Sequence, residues 1–590
     1  MESSFKNDFI LLRDEFVNWV GLFHKNASAL NNSSYNNLYW NGMASWWTNK
    51  LMLKDSFNDN GWLNRMYIFY LMHKYKGLLE IDTDDTFLIK ILNKKYSSIN
   101  KHSNFSEHCL LFIHFLKSFV CNCLLIIVAK SISGKNNLCK EKLPSVIFRT
   151  HYPIEWLNNN LPRTERLFGD AVYHDLKKGL SRSYFTILHS NFFCANPLKL
   201  LRRYRDVKTL SSSDIKHIIS QSFLSFFELI TVYYKTITEY ISFLKLIKNT
   251  KFQTLFYING ISYFNILIKE WFKTYHGYQQ NSRLEAISIS NLLSFFKSNE
   301  TKYIITYGEL FAHNRSTYHL SKKNNSNVIF ISIQHAMNAK NKLFTYHSPH
   351  EFNFYVNELS SLYSPYPDFF LTQGEKYTNI LSEFYESKRI HIIGSLKNLQ
   401  VKDRHIPLLK DFQQNGFKII LITPSLGYDY RGLVDLFSQV SIGSNYRLVL
   451  TFHPAMVVKH VITYQQTTYP DLDINYLPGI STYSLLHYAT LVVAGYSTIL
   501  FEASILGKNV VSYLPLGSLP QFDHDPNIPF FSNPFDFQIW FDSFIEGHHS
   551  TCPYKVKQIE RDYFYKNDSN AGKRLWDFIL KLENKTTPFP

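Results

Sequence analysis

The sequence predicts an α/β protein: two doubly wound, Rossmann-like domains facing each other, behind an N-terminal helical extension. Three observations lead there. Short, continuously apolar runs recur between Ser145 and Leu514, each closed by turn-forming or polar residues. Runs without in–out alternation are the pattern of strands buried on both faces of a parallel sheet. Helix-like stretches separate the runs, and parallel strands need such crossovers. Finally, 590 residues exceed what one hydrophobic core organises. The changes of pattern place the helical extension at 1–140, a first α/β domain with a helical insertion at 141–395, and a second α/β domain with C-terminal helices at 396–590.

Taken in order, residues 1–140 carry large apolar side chains at mixed three- and four-residue spacing, the mark of packed helices. The aromatic run Tyr39 to Trp47 suits buried anchors of a helical layer, or else a sugar-stacking surface. Asp82, Asp84 and Asp85 stand at an apparent helix start, where acids favour the helix dipole, so no metal site is assigned to them. Cys109 to Val128 is long and apolar enough to cross a bilayer. It carries His114, Lys117 and Asn122, and central charge is costly in lipid, so a buried or surface-docked helix is expected.

Strand candidates begin after Leu143: Ser145 to Arg149, Ser183 to Leu188, Tyr303 to Thr306, Val328 to Ile333, Phe369 to Leu371 and Ile390 to Ile393. A long helical region from Ser212 to Lys297 interrupts them, and 395–416 reads as a linker. The second series comprises Lys418 to Ile422, Arg447 to Phe452, Ala489 to Ala494 and Asn509 to Leu514, followed by a tail with helical spacing from Asp536 through Leu582.

Lys and Arg outnumber Asp and Glu by 63 to 47, a net charge of +16. Such a field draws phosphates, nucleotides, anionic lipid or acidic polysaccharide. Nucleic acid is not expected, because no long basic run or nucleic-acid module stands out. Six cysteines without zinc spacing argue against a disulfide framework. The N-terminus lacks the pattern of a secretory signal, so a cytoplasmic location is expected. The absence of Gly-x-Gly-x-x-Gly and of a Walker-type loop disfavours nicotinamide enzymes and P-loop ATPases, and no Gly-x-Ser-x-Gly elbow marks a hydrolase.

Ligands of open α/β sheets bind outside the C-terminal strand ends, so the polar residues there are the candidates. His453-Pro454 closes the run ending at Phe452. A histidine there can donate to a phosphate or leaving-group oxygen, with the proline fixing the backbone; strand-end packing is the alternative. Ser497 and Thr498 follow the run ending at Ala494 and open a helix, where they either bind phosphate or cap the helix. On neighbouring strands the two elements would hold a nucleotide mono- or diphosphate between them, with Glu502 as a ribose or base contact. Glu309, after the run ending at Thr306, could take the proton of an acceptor hydroxyl or cap the next helix. His313 comes just after it, and Gln334 and His335 end the next strand, beside Glu309. The acids at Asp471 to Asp473 and Asp523 to Asp525 make no convincing metal set, so neither metal nor cofactor is expected.

His453-Pro454 after a strand and Ser497-Thr498 before a helix resemble the His-Pro and Ser/Thr motifs of bacterial GT-B glycosyltransferases that use CMP-activated sugars, among them sialyl-, polysialyl- and Kdo-transferases. Glu309, Gln334-His335, Ser364 to Asp368, Gly374 and Ile392 to Ser395 are similar to a family of bacterial surface carbohydrate biosynthesis proteins, most of them named from genomic context. Trp46-Trp47 and Phe148 to Tyr152 fit the same pattern, while Gly308-Glu309-Leu310 and Ala336-Met337 depart from the patterns of these groups on the acceptor side. The resemblance implies a GT-B fold and transfer of a sugar from a nucleotide-activated donor, CMP-linked by that likeness, to a glycan or lipid-linked acceptor of capsule, O-antigen or lipopolysaccharide. It implies donor phosphate on His453, Pro454, Ser497 and Thr498, with Glu309 as base and His453 stabilising the departing phosphate without metal. The acceptor would lie near Glu309, His313, Gln334 and His335. Teichoic-acid glycerophosphotransferases that use CDP-glycerol are the nearest competing resemblance. A non-catalytic binding or assembly protein on the same fold is the reading from another class. An acidic lipid-linked acceptor would be met at the inner leaflet, where a positive surface attaches peripherally.

Overall fold

The computed structural model describes residues 2–54, 62–75, 105–133, 146–150, 185–189, 215–295, 302–307, 311–325, 327–334, 337–352, 365–396, 405–424, 429–452, 456–480, 482–495, 497–515, 525–548, 553–568 and 570–584. Asp82, Asp84 and Asp85 lie outside these residues.

The extension contains α1 (Glu2–Ala29), α2 (Trp62–Lys74) and α3 (Phe105–Ser133). Helix α1 buries Phe9, Leu12, Phe16, Val20 and Phe23, a stripe at three- and four-residue spacing that faces the core. The aromatic run after it folds as a tight hairpin, Tyr39–Trp40 against Met43–Ala44, turned by Asn41 and Gly42 at positive φ, and then as a short helical turn. Trp40, Trp46 and Trp47 are buried, with Trp46 stacked on Phe23 at 4.3 Å between ring centroids. These rings are anchors of the helical layer; a sugar cannot reach them.

The first sheet comprises β1 (Val146–Thr150), β2 (Phe185–His189), β3 (Ile215–Ile219), β4 (Lys302–Tyr307), β5 (Val328–Ile333), β6 (Phe369–Thr372) and β7 (Ile390–Ile392). Their order is β7-β6-β5-β4-β1-β2-β3, and every pairing is parallel. This is the doubly wound order in which the chain returns past its first strand and continues on the other side. The sequence reading placed Ile215–Ile219 inside a helical region. It is instead the edge strand paired with β2, because a short apolar run looks the same to periodicity in either conformation. Helix begins only at α4 (Phe226–Leu246), started by a Ser225–Glu228 capping box, and continues in α5 (Phe264–Lys273) and α6 (Tyr278–Phe295). Between α4 and α5 the chain also forms a small hairpin, Tyr257–Ile258 with Ile261–Ser262. Then α7 (Ala312–Asn324) follows β4, and α8 (Glu375–Ser382) follows β6. Extension and insertion share one core, which also takes Phe370 of β6 and Tyr377 of α8.

The second sheet runs through β8 (Lys418–Ile422), α9 (Asp429–Gln439), β9 (Tyr446–Leu450), α10 (Val458–Thr468), β10 (Ile474–Tyr476), β11 (Ala489–Ala494), α11 (Ile499–Ile505), β12 (Asn509–Tyr513), β13 (Phe530–Phe531) and α12 (Pro534–Ile545). Its order, β10-β9-β8-β11-β12-β13, is parallel throughout and repeats the doubly wound pattern. The sequence reading assigned all the C-terminal helices to this domain. The last of them, α13 (Ala571–Asn584), crosses back: its Leu575, Trp576 and Ile579 are buried with Val146, Tyr303, Ile331 and Phe369 of the first sheet. Arg574 holds the crossing by donating from Nε to the Ile393 carbonyl at 2.7 Å.

Three histidines are packed into this frame uncharged. Burial pulls His24 down to about 4. It pulls His276 to about 4 as well, with His114, Lys50 and Lys273 adding to the effect. His347 falls to about 3, through burial first and then Lys54, against the opposing pull of Glu351. Below about pH 6.5 the unfolded chain protonates these rings while the fold does not, so stability falls as pH drops. The expected loss is on the order of a few kcal/mol between about pH 6.5 and about pH 4. Urea midpoints measured across that range check it, and a flat profile would contradict the buried neutral rings.

Candidate functional site

In each sheet the strand order reverses once, between β1 and β4 in the first and between β8 and β11 in the second. Crevices for ligands form outside the carboxyl ends of the strands at such points. The carboxyl ends of the two sheets also approach each other. Met337, three residues past Gln334 at the end of β5, is buried in the core cluster that holds Ile499, Leu500 and Phe501 of α11. Gly374, just past β6, lies against the backbone of Asp562 and Tyr563. The Tyr563 ring packs on Phe501 at 4.2 Å, and its hydroxyl donates to Asp525 at 2.6 Å. Lys376 of α8 reaches Asp525 at 3.6 Å from the first domain. Burial alone would push the Asp525 carboxyl up. Hydrogen bonds from Tyr563 and Asn527 and the charge of Lys376 hold it below the usual carboxylate range.

On the second domain, Ser497 and Thr498 are half-buried between β11 and α11. Among the described residues, the Thr498 side chain makes no capping bond, and the Ser497 hydroxyl accepts a long bond of 3.4 Å from the Ile499 N–H. Helix α11 has seven residues, so the hydroxyls rather than a long helix dipole are what this end offers a phosphate. Glu502 is buried, at 4 % exposure, within α11. Two threonines that the sequence reading passed over close the neighbouring strands. Thr423, directly after β8, donates its N–H to the Val493 carbonyl at 2.9 Å. Thr451, directly after β9, pairs its hydroxyl with that of Thr482 at 2.9 Å. A hydroxyl residue at the close of each apolar run was the available signal.

The sheet order departs from one expectation. The strand leading to His453 and the strand leading to Ser497 are not neighbours, because β8 lies between β9 and β11. The two strands flank the first strand of the domain, about 10 Å apart at two strand spacings. The reason is the crossover itself: after β10 the chain returns to the far side of β8, and local periodicity carries no mark of that return. His453 and Pro454 themselves lie outside the described residues, as do Glu309 and His335.

In the first domain β4 and β5 are paired, Tyr307 opposite Ile333, so the segment carrying Glu309 and the end carrying Gln334 follow adjacent strands, as expected. Gln334 is buried and accepts the Gln373 N–H on its side-chain oxygen at 2.8 Å, while the Gln373 side chain donates to the Gln334 carbonyl at 3.0 Å. It ties the end of β5 to the end of β6. His313 is half-buried in the first turn of α7, its ring 5.5 Å from that of Phe311. Beside it the structure adds a group that the sequence reading did not single out. Arg149, wholly buried near the end of β1, ion-pairs with Glu285 of α6 at 2.6 Å and donates from Nη1 to Asn314 of α7 at 2.6 Å. It fixes the start of α7 against the strand at the crossover. An arginine closing the apolar run Val146-Ile147-Phe148 was the readable sign. Among the described residues no group of His, Cys, Asp or Glu is placed to hold a metal ion.

Two parallel sheets of the same doubly wound order, meeting at their carboxyl ends and tied by a helix that crosses back, define a two-domain Rossmann-like protein of the GT-B type. No family model matches the sequence, and no curated protein does. Solved structures similar to this chain include UDP-GlcNAc 2-epimerase from Neisseria meningitidis bound to UDP-GlcNAc, at 14% identity and a TM-score of 0.41 over 74% of this chain and 99% of that one. Anabaena HepE in complex with UDP and glucose aligns at 11% identity and 0.39, over 74% and 99%. The wall teichoic acid polymerase TagF aligns at 12% identity and 0.40, over 82% and 100%. The sheet topology, and not these superpositions, carries the fold assignment.

Proposed function

We propose that this protein is a nucleotide-sugar-dependent glycosyltransferase of bacterial surface polysaccharide or lipopolysaccharide synthesis, working at the cytoplasmic face of the inner membrane. The observation that carries the reading is the pair of facing strand ends. On one side stand Thr423, Thr451, Ser497 and Thr498, with His453-Pro454 next in the chain after Phe452. Across the seam lie the ends of β4 and β5, which lead to Glu309 and Gln334. The donor phosphate would sit against His453, Ser497 and Thr498. Glu309 would take the proton of the acceptor hydroxyl as its oxygen bonds to the anomeric carbon. The bond from that carbon to the phosphate oxygen breaks, and the charge left on phosphate is met by His453 and the hydroxyls. The choice of a CMP-linked donor rests on the likeness of His453-Pro454 and Ser497-Thr498 to the CMP-sugar enzymes.

A thermal-shift panel with CMP, CDP, UDP and GDP tests this, run on the wild type, His453→Ala and Glu309→Ala. A ligand that binds the fold raises the melting point. CMP is expected to stabilise the wild type and Glu309→Ala but not His453→Ala. In cells, Glu309→Ala is expected to lower surface glycan on the order of 10²-fold. Preference for CDP would redirect the assignment to a glycerophosphotransferase. No shift with any nucleotide, together with full glycan in Glu309→Ala, would leave a binding or assembly protein.

A further inference from the structure

Helix α3 lies on the outside of the fold. It contains the one described stretch long and apolar enough to cross a membrane, Cys109–Ser131, and only 22% of that stretch is buried. Leu110, Ile113, Leu116, Val120, Leu124 and Ile127 recur at three- and four-residue spacing along its outer side, each between 44% and 58% exposed. Helix α4 beside it repeats the pattern with Phe227, Ile230, Tyr234, Ile237 and Ile241. The two helices are locked together and onto α6. Phe115 and Phe119 pack edge-on against Tyr233 of α4 at 4.9 and 5.0 Å, and Ser118 shares a 2.7 Å hydrogen bond with its hydroxyl. Asn122, buried, donates to Tyr233 and to Asn281 of α6, both at 2.9 Å. This seam, from Phe115 to Asn122, holds α3 against α4 and α6 with its apolar side turned to water.

Among the described side chains of α3, α4 and the turn after α4, the exposed charges are all lysines. Lys117 and Lys130 on α3, Lys245 on α4, and Lys248 and Lys251 just beyond it are exposed. The acids of α4 are turned away: Glu228 caps its own helix and bonds Asn291, and Glu239 is buried against Arg283. A wide apolar surface rimmed by lysines matches an anionic bilayer, with apolar side chains at the acyl boundary and ammonium groups among the headgroups. A second copy of the chain would bring the same lysines together. We propose that the α3–α4 face docks this protein, lying flat, on anionic lipid membranes. The inference stands apart from the donor reading, since no residue of the nucleotide site takes part.

Flotation of the full chain with vesicles tests it, using phosphatidylcholine alone and an equimolar mixture with phosphatidylglycerol. Wild type is expected to partition at least about 10-fold more strongly onto the anionic vesicles, each headgroup-level lysine adding about fivefold. Ile113→Glu/Val120→Glu, Phe227→Glu/Ile230→Glu and Lys117→Glu/Lys130→Glu are each expected to weaken that partition at least about 10-fold. Ile539→Glu, on the exposed side of α12, should leave it unchanged. The wild-type comparison of the two lipids reads the proposal even where a variant folds poorly. Failure of the wild type to float would overturn it, as would equal flotation of the α3 and α4 variants at unchanged melting temperature. A lipid-independent dimer dissolved by those variants would assign the face to a second copy instead.

Discussion

Glu351→Ala is expected to cost about 3–5 kcal/mol of stability, since it leaves buried cations without their counter-charge. The Glu351 carboxylate is wholly buried. It accepts from Lys54 Nζ at 2.7 Å and has His347 Nδ1 at 2.9 Å and Arg315 at 3.6 Å. Burial alone would raise its carboxyl, yet Lys54, His347 and Arg315 hold it well below the usual carboxylate range. Lys54 is buried as completely, at the left-handed end of the short helix Lys50–Leu53. Burial pulls its ammonium down to about 8, with Glu351 resisting. Without Glu351, Lys54 sheds its proton more readily and Arg315, which cannot, stays charged in the interior. Lys54→Met added to Glu351→Ala is therefore expected to cost less than the sum of the two, a coupling that a double-mutant cycle in urea measures. Lys54 belongs to the extension and Glu351 to the first domain, so proteolysis of the single variant should release the extension first. A loss below about 1 kcal/mol would mean that the cluster relaxes into water.

Gly374→Ala is the second large effect, and it acts on the seam. A Cβ there would stand 2.4 Å from the Asp562 carbonyl oxygen, 2.6 Å from its carbon and 2.7 Å from the Tyr563 nitrogen. All three are main-chain atoms, which cannot swing aside as a side chain would. The backbone at Gly374 is extended, so it is space and not φ that requires glycine. The added methyl must push the chain around Tyr563 outward, at about 1–3 kcal/mol for overpacking. Because Tyr563 packs on Phe501 of α11, the displacement reaches Ser497 and Thr498. Nucleotide-induced stabilisation is expected to shrink together with the melting temperature. Unchanged values of both would show that the seam yields without transmitting the strain.

Four of the six strands of the second sheet were legible to within a residue or two, since runs such as Lys418–Ile422, Ala489–Ala494 and Asn509–Tyr513 are apolar and closed by turns, whereas the short edge strands Ile474–Tyr476 and Phe530–Phe531 carry too few residues to show a pattern. A run buried on both faces announces itself locally. Pairing does not. That β8 separates β9 from β11 depends on which way a crossover turns, and that α13 covers the first sheet depends on an encounter hundreds of residues distant in sequence. Strand β3 was hidden because its short run adjoins the long apolar stretch of α4. At the site, hydroxyls and a histidine near strand ends could be picked out one by one. Arg149 could be noticed as the charge closing its apolar run, but its role could not be read, because that lies in Glu285 and Asn314, which reach it from two other helices.

The return of α13 to the first sheet sets an order of events during synthesis. A ribosome makes the first sheet before the second, yet the residues of α13 that cover Val146, Tyr303 and Phe369 are translated only after the second sheet. The early-born domain therefore waits, with one face wetted, through translation of the entire second sheet. A nascent chain stalled before Ala571 would present that face to chaperones or to other chains, however complete its second domain.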